Sequence, residues 1–239
     1  MKHDTICGQN AVAALFARRP DDVLRLFHVP NLRPVVGDWC ATLARARKPY
    51  RMVEDAELAT IAATQHHGGV VAVAKPRTPA ILDLAAPPRL AFLLVLDGIG
   101  NPHNLGAIAR SAAFFGVQAM LLAEGPGHAM PSDAAYRTAE GGLEWLDLYR
   151  TRNLPAALTA MEPHYRTVAA SLSPGAGKLA DLPRDRPTAL VLGHEETGVS
   201  PAALAACRRE VRIAGSGRLQ SLNVAQAAAV LLHGLCART

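Results

Sequence analysis

The sequence predicts an α/β protein whose larger part is a mostly parallel sheet with helices on both faces. From residue 90 onwards, apolar runs of strand length alternate with helical segments, which is the pattern of repeated β-α-β units. Residues 90–97 are apolar at consecutive positions, as in a strand buried on both faces. Residues 76–89 contain four prolines and indicate a linker. We therefore expect two domains, residues 1–75 and 90–239, in a chain of 239 residues.

The N-terminal domain has the pattern of a small layered α/β unit. Its periodicity predicts helices at residues 8–17, 36–47 and 56–65, and strands at residues 23–29, 51–53 and 69–75. Basic residues gather along it with only one acidic residue, Asp38, to oppose them: Arg33, Arg45, Arg47, Lys48 and Arg51. They form either a solvated basic edge or a surface that contacts nucleic acid. Because no aromatic stacking platform accompanies them, the second interpretation favours phosphate contact over base stacking.

The second domain repeats the strand and helix pattern to its end. Its predicted strands are residues 90–97, 117–124, 144–149 (as an edge strand), 167–172, 188–193 and 210–214. Its predicted helices are residues 107–115, 134–137, 155–161, 201–207 and 224–235. The last helix is apolar on nearly every side, so we expect it to be buried.

Composition excludes several classes of protein. Half of the residues are apolar and 19% are charged, which indicates a globular domain and not a disordered chain. No apolar run approaches the ~20 residues that span a bilayer, and no secretory segment is visible, so we expect a cytoplasmic protein. The four cysteines are far apart and predict buried thiols, with no structural metal. The net charge of +5 is compatible with a polyanionic partner.

Three polar loops each follow a predicted strand: residues 101–110, 193–198 and 216–223. In open parallel sheets, ligands bind where the carboxyl ends of strands meet, so we expect the loops to converge. Familiar nucleotide motifs are absent. Gly98 and Gly100 have no third glycine at the dinucleotide spacing, and Gly177-Lys178 is followed by Leu179 where a phosphate-binding loop needs Ser or Thr. There is no Gly-x-Ser-x-Gly elbow.

Taken in order, the three loops resemble a known family. The run from Asn104 to Arg110, the Leu-Gly-x-Glu-x-x-Gly of residues 192–198 and the Ser-Leu-Asn-Val of residues 221–224 are similar to the motifs of the SpoU (TrmH-like) branch of the SPOUT RNA methyltransferases. The resemblance covers residues 90–239. Residues 6–75 more loosely resemble the family's N-terminal RNA-binding domain, which is related to ribosomal RNA-binding proteins.

This resemblance implies a parallel sheet whose C-terminal segment is threaded into a trefoil knot, one of the rare exceptions to unknotted topology. It implies that S-adenosylmethionine is bound in a bent shape, with Gly193, Ile213 and Leu222 lining it. It also implies a homodimer with each site near the interface. The reaction that the resemblance implies is methyl transfer to a ribose 2′-hydroxyl of ribosomal or transfer RNA.

The resemblance also assigns roles to five residues: Arg110, Asn104, Glu195, Ser221 and Asn223. A guanidinium stays protonated below pH ~12, so we favour Arg110 as a phosphate clamp that stabilises developing alkoxide charge over Arg110 as a base. Asn104 would orient Arg110 and the RNA, Glu195 would organise the site, and Ser221 and Asn223 would position the ribose or Arg110. Asn104 (at a helix start at Gly106), Ser221 and Asn223 are also residue types that cap helices.

One departure from the family pattern leaves a second function open. The family often has a proline where this chain has Ala214, and losing it loosens the turn that enters the cofactor loop. The alternative to an RNA 2′-O-methyltransferase is therefore an RNA-binding or ribosome-assembly factor that keeps the fold with little catalysis. A third option, methylation of a base, fits the Ser-Leu-Asn motif less well.

Overall fold

The structure is a computed structural model and describes residues 3–236. Its N-terminal part is a four-stranded sheet in the order β1-β4-β2-β3. The elements are β1 (Asp4–Cys7), α1 (Gln9–Arg18), β2 (Val23–His28), α2 (Arg33–Arg45), β3 (Tyr50–Met52), α3 (Asp55–Ala62) and β4 (Val70–Ala74). The sequence did not predict β1, because four buried residues without alternation carry no periodic signal.

The second part is an eight-stranded sheet in the order β10-β12-β9-β11-β6-β7-β8-β5. Every pair of neighbouring strands is parallel, which confirms the predicted parallel sheet. Its strands are β5 (Ala80–Ile81), β6 (Phe92–Asp97), β7 (Ala119–Ala123), β8 (Asp147–Thr151), β9 (Arg166–Ala170), β10 (Gly177–Lys178), β11 (Thr188–Gly193) and β12 (Arg209–Arg212). Its helices are α4 (Pro102–Phe114), α5 (Asp133–Ala139), α6 (Gly142–Trp145), α7 (Leu154–Met161), α8 (Pro201–Ala205) and α9 (Val224–Cys236).

The predicted edge strand at residues 144–149 is wrong in its start and in its place. Gly141, with φ of 94°, turns the chain into the helical turn α6, so the strand begins only at Asp147. The strand is also not at the edge, because β5 from the proline-rich segment pairs with it. The segment between the two sheets therefore contributes a strand of its own.

Helix α9 is only partly buried, whereas the sequence analysis predicted a buried helix. Its inner face packs against α4 and the sheet through Val224, Ala228, Leu231 and Leu232. The opposite stripe, at the spacing of successive turns, is exposed: Gln226, Val230 and His233. The sequence did not reveal the exposed stripe, because alanines fill the positions between it and the inner face.

A buried ion cluster joins the two sheets. The carboxylate of Glu144 is 1% exposed and accepts hydrogen bonds of 2.9 Å from both Nε and a terminal nitrogen of Arg19. Arg77 lies 3.6 Å from the same carboxylate and donates to the carbonyls of Leu143 and Leu146. Burial raises the pKa of the nearby Asp4 carboxyl, although Arg77 and Arg19 counteract it. The N-terminal part is therefore fixed on the larger sheet by charge as well as by apolar packing.

The C-terminal segment lies inside an excursion of the chain. Between β9 and β11 the chain runs out to β10, on the far side of β12, and returns across α9. On the return Leu179 packs against Gly234, and Arg184 donates to the Gly234 carbonyl at 2.6 Å. Strand β12 thus lies between two strands that precede it in the chain.

Candidate functional site

Helix α4 places the first of the three polar loops, and it begins earlier than predicted. The side chain of Asn101 accepts a hydrogen bond of 2.8 Å from the backbone N–H of His103, and Pro102 occupies the first helical position. The expectation that Asn104 caps a helix starting at Gly106 is therefore wrong. Asn104 lies in the first turn, where its amide is free to face the neighbouring loops.

Asn104 connects all three loops. Its Nδ2 donates to Oε1 of Glu195 at 2.5 Å, and its Oδ1 accepts from Nδ2 of Asn223 at 3.2 Å. These two partners fix the orientation of the amide, because a carboxylate can only accept. The structure thus brings Asn104, Glu195 and Asn223 together at the carboxyl edge of the sheet.

Asn223 both caps a helix and contacts the site. Its Oδ1 accepts from the backbone N–H of Ala225 at 2.9 Å at the start of α9, while its Nδ2 reaches Asn104. The cap leaves the amide nitrogen pointing at Asn104 in the first loop. Ser221 lies two residues earlier in the same exposed loop.

The carboxyl of Glu195 is held in its ionised form. Burial alone would raise its pKa, but hydrogen bonds from Asn104 and from the backbone N–H groups of Glu195 and Gly100 outweigh burial and lower the pKa. Glu195 lies in the turn of residues 194–197, so its carboxylate is stabilised by these donors and not by a helix dipole.

This lowered pKa predicts a pH dependence of stability. A carboxyl whose folded pKa lies below its unfolded value of 4.5 stabilises the fold above that value, and the contribution is lost as pH falls through the folded pKa. We expect the gap in thermal unfolding midpoint between the wild type and Glu195→Gln to be constant from about pH 5 to 8 and to narrow below ~4.5. A gap that instead closes between pH 6 and 8 would contradict the assignment.

The residues predicted to line a cofactor follow two strands of the sheet: Gly193 ends β11, and Ile213 and Leu222 follow β12. A Cβ added to Gly193 would lie 2.0 Å from the backbone of Gly198 and Val199, so the following loop closes directly onto this glycine. Mutual backbone hydrogen bonds between His194 and Gly198, of 3.0 and 2.9 Å, hold the loop closed. Ile213 is half-buried, and Leu222 is exposed.

Two exposed leucines were missed by the sequence analysis: Leu219, in the third loop, and Leu172, in the loop after the neighbouring strand β9. Leu172 follows β9 and is 60% exposed, and Leu219 is 81% exposed. Because Ala170 pairs with Val211, Leu172 follows its strand beside Ile213. Apolar side chains left in water around one glycine are the kind of surface that a flat, mostly apolar ligand group covers. An apolar residue directly after a buried strand was the signal in the sequence.

A Gly193→Ala variant tests the close approach of the loop of residues 194–198 to Gly193. The added methyl group has to displace the loop of residues 194–198, so we expect the free energy of unfolding to fall by about 1–3 kcal/mol. We also expect the affinity for S-adenosylmethionine, measured by calorimetry, to fall at least about tenfold. Gly37→Ala is the matched control, because a Cβ there meets nothing within 4 Å. Unchanged affinity in a folded Gly193→Ala protein would remove Gly193 from the site.

Arg110 is a predicted residue that the structure does not bring to Asn104, Glu195 and Asn223 within one protomer. It lies six residues after Asn104 on α4, roughly 120° further around the helix. Its guanidinium donates to Oε1 of Glu140 at 2.7 Å, and both side chains are about half exposed. Arg110 therefore points outwards, where a second molecule can meet it.

Comparison with known proteins identifies the class to which this fold and site belong. A model described as the SpoU rRNA Methylase family matches residues 91–233, and one described as RNA 2′-O ribose methyltransferase substrate binding matches residues 5–80. The chain belongs to the SpoU rRNA methylase family. The predicted family and fold class are thereby confirmed.

Relatives of known name cover nearly the whole chain. RlmB of Acinetobacter baylyi, a 23S rRNA (guanosine-2′-O-)-methyltransferase, is 30% identical over 96% of this chain and 95% of its own length. YfiF of Escherichia coli O157:H7, a tRNA/rRNA methyltransferase described as uncharacterized, is 32% identical over 95% of this chain, which spans 66% of that protein. The crystal structure of an rRNA methyltransferase from Sinorhizobium meliloti has a TM-score of 0.80 at 20% identity, covering 98% of this chain and 86% of that one. This last likeness shows the fold.

Proposed function

We propose that the protein transfers the methyl group of S-adenosylmethionine to a ribose 2′-hydroxyl of ribosomal or transfer RNA. The observation that carries the proposal is the hydrogen-bonded chain Glu195–Asn104–Asn223, which links the three family motifs at one edge of the sheet. The names of the family relatives, RlmB among them, support the same reaction.

The residues present fit the cofactor. The backbone around Gly193 leaves no room for a side chain, and Ile213, Leu222, Leu172 and Leu219 supply apolar surface for an adenine ring. When bound, S-adenosylmethionine supplies an electrophilic methyl group on its sulfonium. The protein's own part is to hold the ribose in line with that group, a task we assign to Asn104, Ser221 and Asn223.

We further propose a homodimer in which Arg110 acts in the site of the partner subunit. Phe114, four residues after Arg110 on the same helix face, is 82% exposed, and Val230 on the neighbouring α9 is 43% exposed. Burying this apolar surface against a second copy would carry Arg110 towards the partner's Asn104. There its guanidinium would clamp the phosphate beside the target ribose and stabilise the developing alkoxide.

The N-terminal part is the proposed RNA-binding domain, with the boundaries 1–75, 76–89 for the connecting segment and 90–239 for the catalytic domain. Its basic residues around α2 and β3 are mostly exposed, as RNA contact requires: Arg33, Arg45, Arg47 and Arg51. Tyr50, which is 46% exposed beside them, is a single aromatic side chain and not a stacking platform, so phosphate contact stays the favoured interpretation.

The enclosure of β12 and α9 by the excursion between β9 and β11 supports a trefoil knot, which we propose for this chain.

A ribosomal or transfer RNA substrate would place the reaction in the cytoplasm. Among residues 3–236, no helix is long and apolar enough to cross a membrane.

The test is incorporation of labelled methyl groups into unmodified ribosomal and transfer RNA by the purified protein, followed by mapping of ribose methylation. We expect incorporation at a 2′-hydroxyl in one of the two RNA classes. The alternative, an assembly factor, predicts RNA binding without incorporation and without measurable heat on titration with S-adenosylmethionine. Methylation of a base would also contradict the proposal.

A further inference from the structure

A cavity adjoins the site on the β6 side of strand β11. It has a volume of about 250 Å³ and lies at the carboxyl ends of β6 and β7 and against the loop after β11. Its walls include Asp97, Gly98, Gly127, His128, His194 and Thr197. The cavity shares this last loop with Glu195.

The sheet order separates this cavity from two of the proposed cofactor residues, Ile213 and Leu222, whereas the third, Gly193, pairs with Asp97 in the cavity wall. Strand β11 lies between β9 and β6. Ile213 and Leu222 follow β12, on the β9 side, whereas the cavity is on the β6 side. Sites that enclose a whole drug-sized ligand usually measure ~300–1,000 Å³, so this one fits a part of a nucleotide better than an entire cofactor. It thus lies where a substrate would approach the transferred methyl group.

Hydrogen bonds to the backbone fix opposite tautomers in the neutral rings of two histidines in the wall. The Nδ1 of His128 lies 2.9 Å from the carbonyl of Ala123 and must donate to it, so the neutral ring presents Nε2 as an acceptor. The Nδ1 of His194 accepts from the backbone N–H of Glu196 at 3.1 Å, so the neutral ring carries its proton on Nε2 and presents a donor. The cavity therefore offers one acceptor and one donor.

Close packing limits the movement of His128. A Cβ on Gly125 would lie 3.0 Å from its ring, and a Cβ on Gly98 would lie 3.4 Å from its Nε2. Asp97 is buried and accepts from the backbone N–H of Ser200 at 2.7 Å. A carboxylate in the wall disfavours a phosphate, whereas a neutral base, which has adjacent donors and acceptors on its edge, suits the histidine pair.

We propose that this cavity receives the base of the nucleotide whose ribose lies against Asn104, and that His128 and His194 read the edge of that base. The proposal rests on the proposed methyl transfer to RNA and adds to it a specificity site. Enzymes that act on single nucleotides commonly turn the base out of its stack into such a pocket.

The test uses the full chain and transcripts of the RNA that the wild type methylates, with the target nucleotide changed to each of the other three bases. We expect the wild type to prefer one base, and His128→Ala and His194→Ala each to reduce that preference in kcat/KM by about tenfold, the effect of roughly one lost hydrogen bond to a base. His128→Gln, which keeps an acceptor near the same position, should recover part of the preference. His3→Ala, a change at an exposed histidine, is the control.

Calorimetry separates the possible outcomes. The affinity for S-adenosylmethionine should be unchanged in the folded His128→Ala variant, whose side chain lies outside the loop that closes on Gly193. A fall in that affinity with base preference intact would assign the cavity to the cofactor and overturn the proposal. A wild type that methylates all four transcripts equally would also overturn it. If the wild type methylates no RNA, the proposed function itself has failed.

Discussion

Replacing Arg110 with alanine is expected to reduce methyl transfer by roughly 100- to 1,000-fold, the usual effect of removing one group that stabilises developing negative charge. Because Arg110 lies away from Gly193 and Leu222 in its own protomer, the affinity for S-adenosylmethionine should be unchanged. Single-turnover rates with labelled cofactor measure the first effect, and calorimetry measures the second. Arg152→Ala, at an arginine that is 87% exposed, is the control for a lost surface charge.

Mixed dimers distinguish action within a subunit from action across the interface. If Arg110 serves the partner's site, a dimer of one Arg110→Ala and one Asn104→Ala subunit contains one site with both residues intact. Random pairing of two inactive variants should then restore about a quarter of the wild-type activity. If Arg110 serves its own site, each site of the mixed dimer lacks one residue and activity stays absent. No recovery in verified mixed dimers would therefore exclude the proposed exchange.

Replacing Glu144 with alanine is expected to lower the free energy of unfolding by about 3–5 kcal/mol, because the buried guanidinium of Arg77 loses its counter-charge and Arg19 loses two hydrogen bonds to a carboxylate, keeping Asp4 at 3.6 Å and Asp22 at 3.7 Å as its counter-charges. The side chains of Arg19 and Arg77 are only 11% and 18% exposed, so water cannot replace the carboxylate without opening the junction between the sheets. Urea unfolding at neutral pH measures the change.

The matched control is a nearby ion pair in water. Asp147 lies 3.4 Å from Arg18, with side chains 59% and 43% exposed, so Asp147→Ala should change stability by no more than ~1 kcal/mol. An equal effect of the two substitutions would show that the Glu144 cluster contributes no more than a surface pair.

The catalytic sheet was predictable from sequence because its strands are apolar on both faces and its polar loops stand out between them. The pairing of Glu144 with Arg19 was not predictable, because the two residues are 125 positions apart and no local pattern indicates such a pair. The place of Asn104 was predicted about one turn wrongly, because the sequence analysis did not recognise the cap at Asn101. The histidine pair lies in loops rich in glycine, where periodicity says nothing about which side chains meet.

Arg110 shows a different limit. Its motif marks it as important, while its contact with Glu140 in one protomer looks like an ordinary surface ion pair. In the proposed dimer, the partners of Arg110 belong to a second copy of the chain, and neither hydrophobic periodicity nor strand register within one copy contains information on them.

The charged junction under Glu144 also has a consequence for the choice of RNA. Because the two sheets are fixed together, the distance from the basic residues around α2 to Asn104 is constant. A folded RNA element whose backbone and target ribose are already separated by that distance loses little conformational freedom on binding. A short flexible oligonucleotide with the same target nucleotide has to be ordered first, so the proposed mode of binding predicts selection of substrates by their architecture before any single nucleotide is read.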